Sequence, residues 1–165
     1  MRKRVLMSAM ILMVLFVIMM APVNAKKTVE LYASHVEMEQ IDAGEVWEAN
    51  GILHMKGSYW RGTEEVIVPA SLGTATFEEW YNHLSLNLAT GEGTVSAKWK
   101  LTFPQGTIEG SWRGKITQGY IINGTFVGTH GTGEFEGVKK KGTVDGMLTS
   151  ETTAVAEISG IIVWP

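Results

Sequence analysis

Cysteine is absent from all 165 residues, and that absence closes several routes at once. No disulfide holds the fold, no thiolate serves as nucleophile or metal ligand, and no lipobox carries a lipid anchor. The four histidines, His35, His54, His83 and His130, include no HxH or HExxH pair, so a metal site would have to be assembled across strands. The sequence "GSWRG" at 110–114 carries its serine one place too early for a nucleophile elbow. No heptad, long helical pattern or linker-like tract follows residue 25. No metal, cofactor or catalytic residue is therefore assigned, and an enzyme is the less favoured class.

The first 25 residues have a different character from the rest. Arg2, Lys3 and Arg4 precede an apolar run over 5–20 broken only by Ser8; Pro22 and the small-residue stretch Val23-Asn24-Ala25 then follow. This is the pattern of a secretory signal peptide cleaved after Ala25, and it predicts a secreted or extracytoplasmic protein. The alternative is an uncleaved helix that anchors the chain, since the run approaches the ~20 residues of a membrane span. The remainder, 26–165, keeps eleven Lys and Arg against seventeen Asp and Glu, a formal charge of −6. An acidic surface disfavours nucleic acid and anionic lipid as partners. About 140 residues suffice for one core without covalent staples, so a single domain is expected.

Within that domain the apolar residues recur with period two. In "TVSAKWKLTF" at 94–103, Val95, Ala97, Trp99, Leu101 and Phe103 share one face, and Thr94, Ser96, Lys98, Lys100 and Thr102 the other. That is a strand with one dry and one wet side. Similar patterns predict strands near 28–41, 45–57, 64–69, 83–89, 94–103, 107–117, 120–127 and 152–164, with a shorter one at 142–149. The first begins with Val29, Leu31 and Ala33 on one face and slips in phase near Ser34–Val36. The segment 71–82 fits either a strand or a helical turn capped by Thr76. Tight turns at 90–93, 104–106 and 117–119 join successive strands antiparallel. The expected fold is all-β: a closed or nearly closed antiparallel up-and-down barrel of about eight strands, after an N-terminal signal helix.

Eleven of the nineteen glycines fall between positions 106 and 146. Gly110, Gly114 and Gly124 sit inside alternating strands, where sharp coiling, or a tryptophan lying over bare backbone, would explain them. "GTGEFEG" at 131–137 has the wrong spacing for a phosphate loop, and Glu134 and Glu136 would repel the anion. The stretch "GTGEFEGVKKKGTVDG" at 131–146, entered through "IINGTFVGTHG", resembles the glycine-rich segment shared by allene oxide cyclase, dirigent proteins and related bacterial and archaeal secreted barrels. The resemblance implies an eight-stranded barrel with an apolar cavity, often trimeric. It assigns a structural role to Gly131, Gly133, Phe135 and Gly137. No residue of those families' chemistry can be placed on this sequence.

Six tryptophans remain as the main functional signal. Trp99 and Trp112 share strand faces with Ile, Leu and Phe and read as core or cavity wall. Trp60 and Trp80 lie near turn-like segments and are candidates for a cavity mouth or a carbohydrate platform. His35 follows the apolar face of the first strand and joins these four as a ligand-binding candidate, against the alternative of a satisfied core histidine. The pairs Glu64-Glu65 and Glu78-Glu79 face opposite sides of their strands and cannot act together; they are expected on wet faces, as is the charged turn "KKK" at 139–141. Asn123 in "NGT" is a glycosylation sequon. Taken together, the sequence predicts a secreted non-catalytic barrel that binds a small apolar or aromatic molecule. The alternatives are a cyclase-like isomerase acting on a lipid-derived substrate, or a structural, envelope-associated homo-oligomer with a filled interior.

Overall fold

A computed structural model describes residues 26–118 and 120–165. The leader expected over 1–25 lies outside the described residues, as does the side chain of Asn123. The described chain forms ten strands: β1 (Thr28–Asp42), β2 (Glu45–Ala49), β3 (Ile52–Lys56), β4 (Tyr59–Val68), β5 (Thr74–Asn87), β6 (Glu92–Phe103), β7 (Gly106–Thr117), β8 (Tyr120–Gly131), β9 (Lys139–Leu148) and β10 (Thr153–Trp164). Two short 3-10 turns, Ala70–Leu72 and Gly133–Phe135, are the only helical elements among the described residues.

Eight strands close on themselves in the order β1-β4-β5-β6-β7-β8-β9-β10, each pair antiparallel, with β10 returning to β1. The fold is thus a closed up-and-down barrel. The hairpin β2-β3 stands outside it and adds to the end of β5, where Ile52 to Met55 pair with Asn87 to Leu84. Closure leaves no free edge in the barrel wall, consistent with the absence of any other stapling device.

Alternation predicts the barrel interior well along β6. Val95, Ala97, Trp99, Leu101 and Phe103 are all buried, and they meet Phe77 and Tyr81 of β5 and Ile108, Trp112 and Ile116 of β7. One end of the barrel is filled. There the 3-10 turn Gly133–Phe135 folds Phe135 inward to within 5.0 Å of the Phe103 ring and 5.9 Å of the Trp164 ring, measured between centroids. This is the glycine-rich segment singled out in the sequence. An added Cβ would sit 2.0 Å from the Phe135 carbonyl oxygen at Gly131 and 2.2 Å from that of Gln105 at Gly133, so neither position admits a side chain. Gly137 has a φ of +78°.

A tryptophan over bare backbone accounts for Gly110 but not for Gly124, where an added Cβ would meet Val144 Cγ1 at 2.6 Å. A Cβ at Gly110 would lie 2.6 Å from Trp99 Cζ2, and one at Gly128 would lie 2.9 Å from Trp99 Cη2. The Trp99 indole packs on this bare backbone, where any side chain would displace it.

One strand expectation needs correction, and two open points are settled. The single strand placed at 45–57 is a hairpin, turned at Asn50 (φ 54°) and Gly51 (φ 76°); Asn-Gly is the favoured pair for such a turn. The ambiguous segment at 71–82 is mostly strand, because Ala75, Phe77 and Tyr81 alternate into the core. In β1 the inward residues are Tyr32, Ser34, Val36 and Met38, so Val29, Leu31 and Ala33 point outward and Leu31 is 73% exposed. The irregularity lies in the pairing rather than in β1 itself: Ala33 pairs with Val68 and Ser34 with Val66, leaving Ile67 of β4 as an extra residue.

Candidate functional site

Above the filled end the barrel encloses a cavity of about 70 Å3, several times the ~10–15 Å3 that one water needs. Its wall is chiefly apolar: Val36, Phe77, Val95, Trp99, Trp112 and Phe126 contribute from five strands. Met147 and Leu148 line it too and are 40% and 51% exposed, so the cavity meets solvent at the β9 end of the barrel.

Into this apolar space project Glu64, Glu79, Tyr81 and Lys140. Strand alternation puts them there. Each acidic doublet sends one carboxylate out and one in, and the inward members, Glu64 and Glu79, are 0% and 1% exposed. The middle lysine of the 139–141 run points inward on β9 and is 3% exposed. The expectation of wet faces and a charged turn is therefore overturned for Glu64, Glu79 and Lys140. Two doublets on neighbouring strands, β4 and β5, supply two carboxylates to one cavity.

The two carboxylates sit in different surroundings. Glu64 Oε1 accepts hydrogen bonds from the Tyr32 hydroxyl, from Ser34 Oγ at 2.5 Å and from Lys140 Nζ at 3.0 Å. The Lys140 ammonium also stands 3.6 Å from the centroid of the Tyr32 ring and about 5 Å from the Phe126 and Trp99 rings. Burial pulls the Lys140 pKa down and Glu64 works against that pull. Desolvation, reinforced by the Glu64 charge, pushes the Tyr32 phenol far up, so it remains a hydrogen-bond donor. This cluster is a charge-compensated knot on the barrel wall.

Glu79 has no such company. Burial raises its pKa from 4.5 to about 8, with only a hydrogen bond from Trp112 pulling the other way. Its Oε1 is buried and has no partner. At neutral pH the group is mainly a neutral carboxylic acid, poised to give or take a proton close to physiological pH. Desolvation, then the Glu79 charge, push the neighbouring Tyr81 phenol well up as well.

A row of inward positions links the two carboxylates. Glu79 pairs with Trp99, Trp99 with Gly110, Gly110 with Gly128, and Gly128 with Lys140, running from β5 to β9. The two glycines let the Trp99 ring span the gap and approach Lys140. Trp99 Nε1 is itself buried without a partner.

The tryptophans and the histidine named from the sequence divide between wall, core and surface. Trp99 and Trp112 line the cavity. Trp60 is buried inside the barrel, pairs with Glu79 across β4 and β5, and stacks on Tyr81 with ring centroids 5.8 Å apart. Trp80 is 38% exposed and stacks on Tyr59 outside the barrel. His35 is on the outer face of β1, where Nδ1 lies 2.6 Å from Glu157 Oε1 and Nε2 3.5 Å from Glu37. Its pKa is raised, chiefly by the hydrogen bond to Glu157. His54 stacks on Trp47 within the outer hairpin, the His83 ring of β5 lies tilted 5.5 Å from His54, and His130 is exposed. Among the described residues no three His, Asp or Glu side chains are grouped to hold a metal ion. No protein-family model matches the chain, and no curated protein does.

Proposed function

We propose that this chain is an exported, non-catalytic β-barrel that binds a small apolar or aromatic molecule in the cavity reached between Met147 and Leu148. One observation carries the proposal: an apolar enclosure contains a buried carboxyl oxygen, Glu79 Oε1, whose hydrogen-bonding capacity is unmet. A purely structural core would gain by replacing such a group with a hydrocarbon side chain. Ligand sites, by contrast, are largely apolar pockets with a few oriented polar groups. The signal-like leader and the likeness of residues 131–146 to secreted cyclase and dirigent barrels are consistent with this role.

The test is native mass spectrometry of the protein purified without detergent. A mass above that of the chain, lost on denaturation, is the expected result and reports the ligand class. A bare chain that also takes up nothing from a panel of small apolar compounds would overturn the proposal.

A second role, a cyclase-like isomerase for a lipid-derived substrate, has Glu79 in its favour, because proton transfer needs an acid or base of near-neutral pKa in a dry site. It requires that the released ligand be a mixture of isomers whose ratio the protein alters. An assembly role has the outward Val29 and Leu31 in its favour.

A further inference from the structure

The outer wall of the barrel carries an apolar patch that the core does not use. On β1 the outward residues Val29 and Leu31 are 59% and 73% exposed, and Ile67 and Val68 at the end of β4 are 54% and 41% exposed. Register joins them into one surface. Val29 pairs with Val163 and Leu31 with Ile161 on β10, while Ala33 pairs with Val68 on β4. These six aliphatic side chains lie together over β4, β1 and β10. They occupy the filled end, where Thr28 pairs with Trp164 and the Trp164 ring meets Phe135.

Lysines flank the patch. Val163 pairs with Lys139 and Ile161 with Lys141, both exposed on the outer face of β9. Among the described residues neither makes an ion pair. Lys26 and Lys27, also exposed, stand just ahead of Val29 on the chain. The acids of the same wall, Glu37, Glu65 and Glu157, gather around His35, beyond Ala33. Glu30 is on the opposite face of β1 and accepts the Trp164 indole N–H at 3.0 Å, and Glu134 and Glu136 belong to the glycine-rich turn that closes the end. The acidic net charge of the domain is therefore not carried by the patch.

A second copy or a lipid surface could cover such a face. Four exposed and two half-buried aliphatic side chains amount to a few hundred Å2, short of the ~800 Å2 per partner of a specific protein interface. A membrane needs less. Aliphatic side chains enter the headgroup boundary, while lysine stems snorkel and set their ammonium groups among anionic phosphates. Such a contact is weak alone, and stable attachment takes a second signal. The sequence has one beside the patch: the apolar run over 5–20 precedes Lys26 and Lys27, which lead into Val29.

We propose that the β4-β1-β10 wall at the filled end docks on an anionic membrane surface, with Val29, Leu31, Ile67 and Val68 entering the lipid and Lys139 and Lys141 meeting its phosphates. The cavity mouth stays clear, because Met147 and Leu148 pair with Val155 and Ala154 at the other end of β10.

The chain has no cysteine, so Leu31→Cys and Ser111→Cys each give a single site for an environment-sensitive fluorophore. Ser111 is exposed on β7, four strands from β1 in either direction round the closed wall. The full chain is incorporated into phosphatidylcholine vesicles with brominated acyl chains, with and without phosphatidylglycerol. With phosphatidylglycerol, the label at position 31 should be quenched and the label at 111 should not. Lys139→Gln combined with Lys141→Gln should lower the docked-to-free ratio about 25-fold, roughly 5-fold for each lysine, and remove most of the quenching. No quenching at position 31, or equal quenching at both positions, overturns the proposal, since a domain merely tethered nearby presents no preferred wall. Quenching that persists undiminished without phosphatidylglycerol and in the lysine variant overturns the anionic surface. An emission shift at position 31 that grows with protein concentration before vesicles are added assigns the patch to a second copy and overturns the membrane.

Discussion

A carboxyl group that ionises near pH 8 makes the barrel itself sensitive to pH. Below about pH 4.5 the folded and unfolded chains both carry the Glu79 proton, so the group is neutral in its effect. Between 4.5 and about 8 the unfolded chain releases the proton and the folded chain keeps it. Stability then falls with rising pH by about 1.4 kcal/mol per pH unit from this residue alone, and the loss levels off above pH 8. Glu79→Gln removes that slope and should stabilise the protein at pH 7 by on the order of 3 kcal/mol. Urea titrations of both proteins at pH 5, 6, 7 and 8 measure it; parallel profiles would show that Glu79 is ionised in the folded state. Lys140 behaves oppositely. Lys140→Met leaves the Glu64 carboxylate buried without its cation and should cost about 3–5 kcal/mol, whereas adding Glu64→Gln restores most of the loss while preserving an acceptor for Tyr32 and Ser34. A double-mutant cycle by thermal melting reads the recovery, and full additivity of the two losses would rule out the pairing. None of these three residues was legible as a site from sequence. A doublet or triplet of like charges looks like solvated surface, yet on a strand one member must face inward. Composition says nothing about which one, and the interior cluster forms only when β4, β5 and β9 are brought round one axis.

The strands themselves were far more legible, because a half-buried strand writes its two faces into alternate residues, as in β6. Legibility failed where burial and polarity part company. Val29 and Leu31 are apolar and point out, while Ser34 and Glu64 are polar and point in, so apolarity alone does not say which face of β1 is the inner one. The glycines offer a test at this scale, since two of them are needed for different reasons. Gly110 is needed for space: its Cβ would meet Trp99 Cζ2 at 2.6 Å and the Val127 carbonyl oxygen at 1.9 Å. Gly110→Ala should cost about 3 kcal/mol, at the upper end for overpacking, and should alter the near-UV circular dichroism as the Trp99 ring is displaced. Gly51 is needed for conformation, with a φ of +76° and nothing within 4 Å of an added Cβ. Gly51→Ala should cost about 1 kcal/mol through backbone strain and leave the aromatic signal unchanged. An unchanged aromatic spectrum in Gly110→Ala would mean that Trp99 does not lie over that backbone.

For the molecule as a whole, closure depends on its first and last strands. β1 and β10 pair along twelve positions, from Thr28 with Trp164 to Glu39 with Thr153, so the two ends of the domain lie side by side at the filled end of the barrel. A short flexible linker from residue 165 to residue 26 would convert that seam into a loop, and new ends can then be opened elsewhere. The choice of opening should matter in a way set by the architecture. Asn50 and Gly51 turn a hairpin that stands outside the barrel, so a cut there breaks no pairing of the closed wall. The turn before β7 is different. Gln105 accepts the Glu134 amide at 3.1 Å, and Thr107 is bonded to Thr132, tying this turn to the segment that carries Phe135 into the core. A permutant opened between Asn50 and Gly51 should keep the far-UV spectrum, and its Tm should stay within a few degrees of the parent, because only a surface hairpin is divided. One opened between Gln105 and Gly106 should melt well below it, because freeing this turn loosens the Phe135 plug that fills one end of the interior. Equal melting temperatures for the two permutants would mean that the plug contributes little to stability, and that the closed wall of eight paired strands holds the cavity in shape without it.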